Sequence, residues 1–211
     1  MPNMLFHVQF SPTELVNQYK WTSYFDSFDG FIQFLNGGGT IAFLNGFLQL
    51  TAPNAANGQA SIKKNLPYPA NVMTWDKTRI WEAGVRAEIA DDDTLDAYIS
   101  MGEKAEVGDA EGFKFKKDRI QGFTVHVATK QYFDLITGLT PPWDEYHRYK
   151  IIHQPANKIE YYIDGALILA RTTNIPTGTT TAAMMLHANA KRGTAGPHVL
   201  DLSEASLIQY L

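Results

Sequence analysis

The stretch from Arg79 to Ile89 alternates, with Trp81, Ala83, Val85, Ala87 and Ile89 apolar and Glu82, Arg86 and Glu88 charged between them. Successive side chains of a β-strand point to opposite faces, so this run predicts a strand with Trp81, Val85 and Ile89 inward and Glu82, Arg86 and Glu88 outward. The same period of two predicts Leu95, Ala97, Ile99 and Met101 inward, with Asp96, Tyr98 and Ser100 outward. It predicts Met184, Leu186 and Ala188 inward, with Met185, His187 and Asn189 outward. Over Gly122 to Thr129 it predicts Phe123, Val125 and Val127 inward, with Thr124 and His126 outward.

Further strand-like runs follow at Thr40 to Leu44, Phe47 to Thr51, Gly112 to Lys116, Tyr146 to His153, Lys158 to Ile163, Ala166 to Arg171 and Val199 to Gln209. Asn45-Gly46 separates two of them, and that dipeptide supplies the positive φ angles of a two-residue hairpin turn. A helical signal is confined to the first 30 residues. Ser11-Pro12 reads as an N-cap followed by proline at the first helical position, with Leu15, Val16 and Tyr19 behind it. About a dozen strands with at most one short N-terminal helix define an all-β protein built as a two-sheet antiparallel sandwich. No repeat or linker interrupts the series, so residues 1–211 read as one domain, with 1–30 as an N-terminal extension packing on it.

Composition narrows the partners. The 211 residues carry 18 Lys and Arg against 22 Asp and Glu, a net charge of -4, with no basic run longer than the pairs Lys63-Lys64 and Lys116-Lys117. That argues against nucleic acid, whose phosphates need a clustered basic footprint. No stretch approaches the roughly 18 consecutive apolar residues that would insert in a membrane, and Met1 to His7 lacks the basic and apolar regions of a signal peptide. A soluble chain is expected, with secretion or display on a cell or virion surface left open. The absence of Cys removes disulfides and thiolate chemistry but does not decide the compartment.

Catalytic and metal signatures are sparse. None of the six histidines has zinc-site spacing, there is no G-x-S-x-G elbow, and Gly37-Gly38-Gly39-Thr40 lacks the lysine of a phosphate loop. No cofactor is expected. Asp91-Asp92-Asp93 is the one oxygen-rich loop that could take calcium, although a polar hairpin accounts for it equally well. Trp75 and Trp143 fall in loop-like segments where a ring could stack on a sugar, while Trp81 is in phase with the core.

The segment Glu145 to Gly165 (EYHRYKIIHQPANKIEYYIDG) resembles the laminin-G-like and laminarinase-type members of the concanavalin A-like lectin/glucanase superfamily. It has an aromatic-flanked strand, a short Pro-containing turn, and a strand ending in Tyr-Tyr-Ile-Asp-Gly. The resemblance runs over roughly residues 25 to 210 and implies a jelly-roll sandwich. The retaining glucanases of that superfamily carry an E-x-D-x-E motif, which turns its carboxylates into one cleft, where nucleophile and acid/base stand about 5 Å apart. Here the nearest stretch is Glu106, Asp109 and Glu111, whose offsets of three and two split them between faces and read as a solvated loop. The lyase pattern of the superfamily is met only in part by Arg86, Glu88, Tyr98 and His126, since Thr124 stands where it has glutamine.

The resemblance and the outward residues together suggest a non-catalytic carbohydrate-binding or adhesion module. Its glycan or polysaccharide would lie in one shallow groove formed by Glu82, Arg86, Glu88, Asp96, Tyr98, His126, His187 and Asn189. Arg86 would be its centre, with Gly84 leaving room for a sugar ring. The alternatives are a structural surface domain that binds no sugar and a divergent polysaccharide hydrolase or lyase. Oligomeric state is not legible.

Overall fold

A computed structural model of the chain describes residues 18–24, 31–55, 57–65, 74–89, 97–102, 108–139, 145–178, 185–191 and 198–210. Every regular element among them is a strand, and all the pairings are antiparallel. Numbered in chain order, one sheet runs β13 (Ala166–Arg171), β12 (Lys158–Ile163), β11 (His147–Gln154), β6 (Arg79–Ile89), β15 (His198–Tyr210), β4 (Phe47–Ala52) and β3 (Thr40–Leu44). Its eighth strand, β1 (Gln18–Tyr24), pairs with β15. The other sheet has seven strands: β10 (Thr129–Thr137), β9 (Arg119–His126), β8 (Ala110–Phe115), β7 (Ala97–Gly102), β14 (Met185–Lys191), β5 (Gln59–Asn65) and β2 (Ile32–Asn36). The two sheets form the expected antiparallel jelly-roll sandwich.

The period of two explains why they stack. Leu50, Trp81, Val85, Ile151, Tyr161 and Leu200 of the larger sheet are buried, and so are Ile62, Ile99, Met101, Phe113, Phe115 and Leu186 of the smaller one. Rings interlock between the layers: Phe113 meets Trp81 edge-on at 5.8 Å between centroids and Tyr161 at 5.5 Å. Such pairs add to the burial that holds sheet on sheet. Ile163 belongs to this core and is 6% exposed. Ile163→Asp is expected to cost at least about 3 kcal/mol by stranding a carboxylate between the sheets. Urea denaturation measures it, and a midpoint unchanged from the parent would refute the facing of β12.

The turns follow their local chemistry. Asn45 and Gly46 have φ of 54° and 84°, and Asp164 and Gly165 have 51° and 81°, as their hairpins require. β5 and β10 were not individually legible, because Gln59 to Asn65 mixes Lys, Gln and Ser with few apolar residues and the doublets Tyr132-Phe133 and Leu135-Ile136 break the period of two in Thr129 to Thr137.

The strands and turns correct three expectations. Tyr19, assigned to the N-terminal helix, lies in β1, whereas the rest of that helical stretch, residues 11–17, is outside the described residues. The facing of β9 is the reverse of the expected one. Gly122 lies opposite Phe113 and Thr124 opposite Glu111 on the inward side, so Phe123 and Val125 point outward, and Val127 is an exposed turn residue with φ of 48°. Both faces of β9 are buried, so its apolar residues do not report which face meets the other sheet. Trp75, a candidate for stacking on a sugar from a loop, is fully buried and cannot do so, with the Arg79 guanidinium 3.5 Å from its ring centre.

Candidate functional site

The outward register of the seven-stranded sheet starts from its central strands. Asn189 of β14 lies opposite Tyr98 of β7, His187 lies opposite Ser100, and on the other side Ser61 and Lys63 of β5 face Asn189 and His187. These side chains bond to one another. The Tyr98 hydroxyl and His187 Nδ1 are 3.0 Å apart, and Gln59 Nε2 donates to Asn189 Oδ1 at 2.8 Å. Tyr98, Ser100, His187 and Asn189 are buried, so they form a polar floor whose hydrogen bonds are largely made within the protein. Burial, reinforced by the charge of neighbouring Lys63, pulls the His187 pKa down to about 3. Its ring is therefore neutral at physiological pH, with one donor and one acceptor nitrogen.

Beyond this floor the sheet turns aromatic and then basic. Phe123 of β9 meets the Tyr98 ring at 6.2 Å and the Tyr132 ring of β10 at 6.0 Å. Gly112 allows this, since a Cβ there would stand 2.6 Å from the Phe123 ring. Lys114 sits over Tyr132, 4.8 Å from its centre. Over β8, β9 and β10 lies a cleft of about 380 Å³, lined by Lys114, Lys116, Arg119, Gln121 and Tyr132. Tyr132 is 41% exposed, so part of its ring is accessible from the cleft.

The residues expected to share one groove are divided by the fold. Tyr98, His187 and Asn189 lie on the outward face of the seven-stranded sheet. Glu82, Arg86 and Glu88 lie on the outward face of the eight-stranded sheet, on the other side of the sandwich. There Arg86 is held by Asp201, directly opposite on β15, with its Nε at 2.8 Å from Oδ2, and Asp201 also accepts from Gln49. Arg148 binds Glu82 and Glu204 on the same face. The space over Gly84 is taken by Ser203, whose Oγ lies 2.1 Å from where a Cβ would be. His126 faces away from Phe123 and bonds Asp109 at 3.1 Å beside the β9–β10 turn. Asp96, Asp91-Asp92-Asp93 and Trp143 lie outside the described residues.

Glu111, expected in a solvated loop, is instead fully buried between the sheets with Arg79 and His153. Arg79 Nε donates to its Oε1 at 3.3 Å, and His153 Nδ1 is 2.8 Å from Oε2. Burial pulls the Arg79 guanidinium down to about 10 against the opposing pull of Glu111. Burial would raise the Glu111 carboxyl, but Arg79 and His153 outweigh it and hold it below its ordinary range. Burial and Arg79 lower His153. All three side chains are closed to solvent, which fits a structural part for Glu111. Its signal was present: Arg79 is in phase with Trp81, Glu111 with Phe113, and His153 with Ile151. The cleft residues carried a weaker one, because Lys114, Arg119 and Tyr132 stand on three successive strands and only the β8–β9–β10 register brings them to one face.

Among the described residues, no carboxylate stands at an outward position of β7, β8 or β14 at the centre of this face. The outward positions of the central strands are Ala110, Gly112 and Lys114 on β8, Tyr98, Ser100 and Gly102 on β7, and His187 and Asn189 on β14. Among the described residues no group of three His, Cys, Asp or Glu could hold a metal, and no helix is long and apolar enough to cross a membrane.

The architecture is a two-sheet antiparallel jelly roll with a cleft beside the outward face of its seven-stranded sheet. No protein-family model matches the chain, and no curated protein matches it in sequence. Solved structures do. A prokaryotic β-1,3-1,4-glucanase (lichenase) from a mouse hindgut metagenome superposes with a TM-score of 0.61 at 13% identity, covering 89% of this chain and 98% of that one. The endo-β-1,4-glucuronan lyase of the fungus Trichoderma reesei gives 0.60 at 10% identity, covering 90% and 94%. Botulinum neurotoxin type C, whose cell entry depends on interaction with two ganglioside molecules, gives 0.54 at 8% identity; 84% of this chain spans 42% of the toxin chain. At these identities the likeness is one of fold.

Proposed function

We propose that the protein is a non-catalytic carbohydrate-binding module that takes a glycan in the cleft over β8, β9 and β10, alongside the Tyr98–His187 floor. The observation that carries this reading is the half-exposed Tyr132 ring in a cleft otherwise lined by hydrogen-bonding side chains. An aromatic face covers the apolar side of a pyranose while Gln121, Lys114 and Arg119 bind its hydroxyls. The absence of acidic side chains from the outward positions of β7, β8 and β14 speaks against hydrolysis by paired carboxylates. The fold neighbours support a sugar partner, since they include a glucanase, a glucuronan lyase and a toxin that interacts with gangliosides.

A cleft with one aromatic platform is expected to bind weakly, with Kd in the millimolar to micromolar range, or about -4 to -8 kcal/mol. Tyr132→Ala should weaken binding about tenfold, whereas Arg86→Ala, on the opposite sheet, should leave it unchanged. Isothermal titration of the parent and both variants against a polysaccharide panel, with a reducing-sugar assay alongside, tests this. Equal binding by Tyr132→Ala and the parent, or turnover of any panel member, would refute it.

A further inference from the structure

We infer that the ligand of this cleft is a polyanionic polysaccharide, one bearing carboxylate or sulfate groups; this rests on the glycan reading above. On the seven-stranded sheet the outward register holds Lys63, Lys114, Arg119, Lys130 and Lys191, with Lys116 following at the end of β8 and lining the cleft. Among the described residues, the one acid in that register is Asp134, 3.9 Å from Arg119, and Asp118 in the β8–β9 turn adds a second at 2.8 Å. Three of the five residues lining the cleft, Lys114, Lys116 and Arg119, are cationic, on a chain whose net charge is -4.

Neighbouring strands lie about 4.8 Å apart, within the roughly 8 Å screening length of physiological salt, so the cations of β8, β9 and β10 act on a ligand as one field. Lys114 over Tyr132 refines the fit. A pyranose stacked on that ring would bring its own carboxylate or sulfate beside an ammonium, and the Arg119 fork can bind a second anionic group two-pronged. A single-stranded nucleic acid would also meet the charge, but it is held by bases stacking on successive exposed rings. Phe123 and Tyr98 are buried and edge-on to each other, and Tyr132 is the aromatic side chain lining the cleft.

The experiment is calorimetric titration of the whole chain with polygalacturonate, a sulfated galactan, a neutral mixed-linkage β-glucan and a single-stranded oligonucleotide, at low and high salt. The polyanionic glycans should bind at least about tenfold tighter than the neutral glucan and lose about tenfold in high salt. The double variant Lys116→Glu/Lys130→Glu should weaken them by a further tenfold or more. Should it melt below the parent, Lys130→Gln on the exposed rim gives the same reading with a smaller loss. Binding of polygalacturonate alone or of the sulfated galactan alone assigns the anionic group. Equal, salt-insensitive binding of the neutral glucan would overturn the polyanion and leave the glycan reading intact. Preference for the oligonucleotide, or binding of none of the four, would overturn both.

Discussion

Glu111→Gln is expected to destabilise the protein by about 3–5 kcal/mol, because it leaves the Arg79 guanidinium uncompensated between two sheets. For a domain of this size that corresponds to a fall in Tm of about 10 °C. The loss should belong to the unbalanced charge and not to the missing carboxylate. Replacing both partners, Arg79→Met with Glu111→Leu, should therefore recover most of it, since an apolar pair of similar volume is often as stable as a buried ion pair. Urea denaturation of Arg79→Met, Glu111→Leu and the double variant closes the cycle, with Glu111→Gln measured beside them. A Glu111→Gln midpoint equal to the parent, or a double variant that loses the sum of the singles, would mean the triad does not act as described. Glycan binding in Glu111→Gln at a temperature where it stays folded should match the parent, because the triad is sealed from the cleft.

The second large effect is with pH. His187 has a pKa near 3 in the folded protein against about 6.5 in the unfolded chain, so below pH 6.5 the unfolded state takes up a proton that the folded state refuses. The contribution is fully present above about pH 6.5 and is lost as pH falls toward 3, to a ceiling of roughly 5 kcal/mol. His153, also lowered, acts in the same direction. Glu111, held below its ordinary range, adds a further loss once pH drops under the unfolded carboxyl value and through its own. His187→Gln keeps a hydrogen-bonding partner for Tyr98 and removes the titration. Its stability between pH 7.5 and 4 should fall less steeply than the parent's, with the two curves converging in acid. Parallel curves would show that His187 is not the group responsible.

Much of the architecture follows from the chain alone. The alternation of Trp81, Val85 and Ile89 with Glu82, Arg86 and Glu88, the Asn45-Gly46 and Asp164-Gly165 turns, and the near absence of helical periodicity are local properties. Each is set by where a side chain points from its own backbone, so β6, β12 and β13 emerge with their observed limits and the sandwich with them. The outward facing of Tyr98, His187 and Asn189 is legible for the same reason. Tertiary structure alone decided which outward faces belong together. Alternation says that Arg86 and Tyr98 both leave the core, but not that they leave it on opposite sides, because sheet membership is settled by pairing between distant segments. β6 pairs with β15, more than a hundred residues away, and so gives Arg86 to Asp201, while β7 pairs with β14 and gives Tyr98 to His187. Where a strand is buried on both faces the pattern loses even its phase. Phe123 and Thr124 of β9 are equally hidden, and only the register against β8 puts Thr124 toward the core and Phe123 beside the cleft. Arg79, Glu111 and His153 became a triad, and Lys114, Arg119 and Tyr132 a basic cleft, for the same reason: charge and ring contacts act through space, and the strand order brings those side chains within reach.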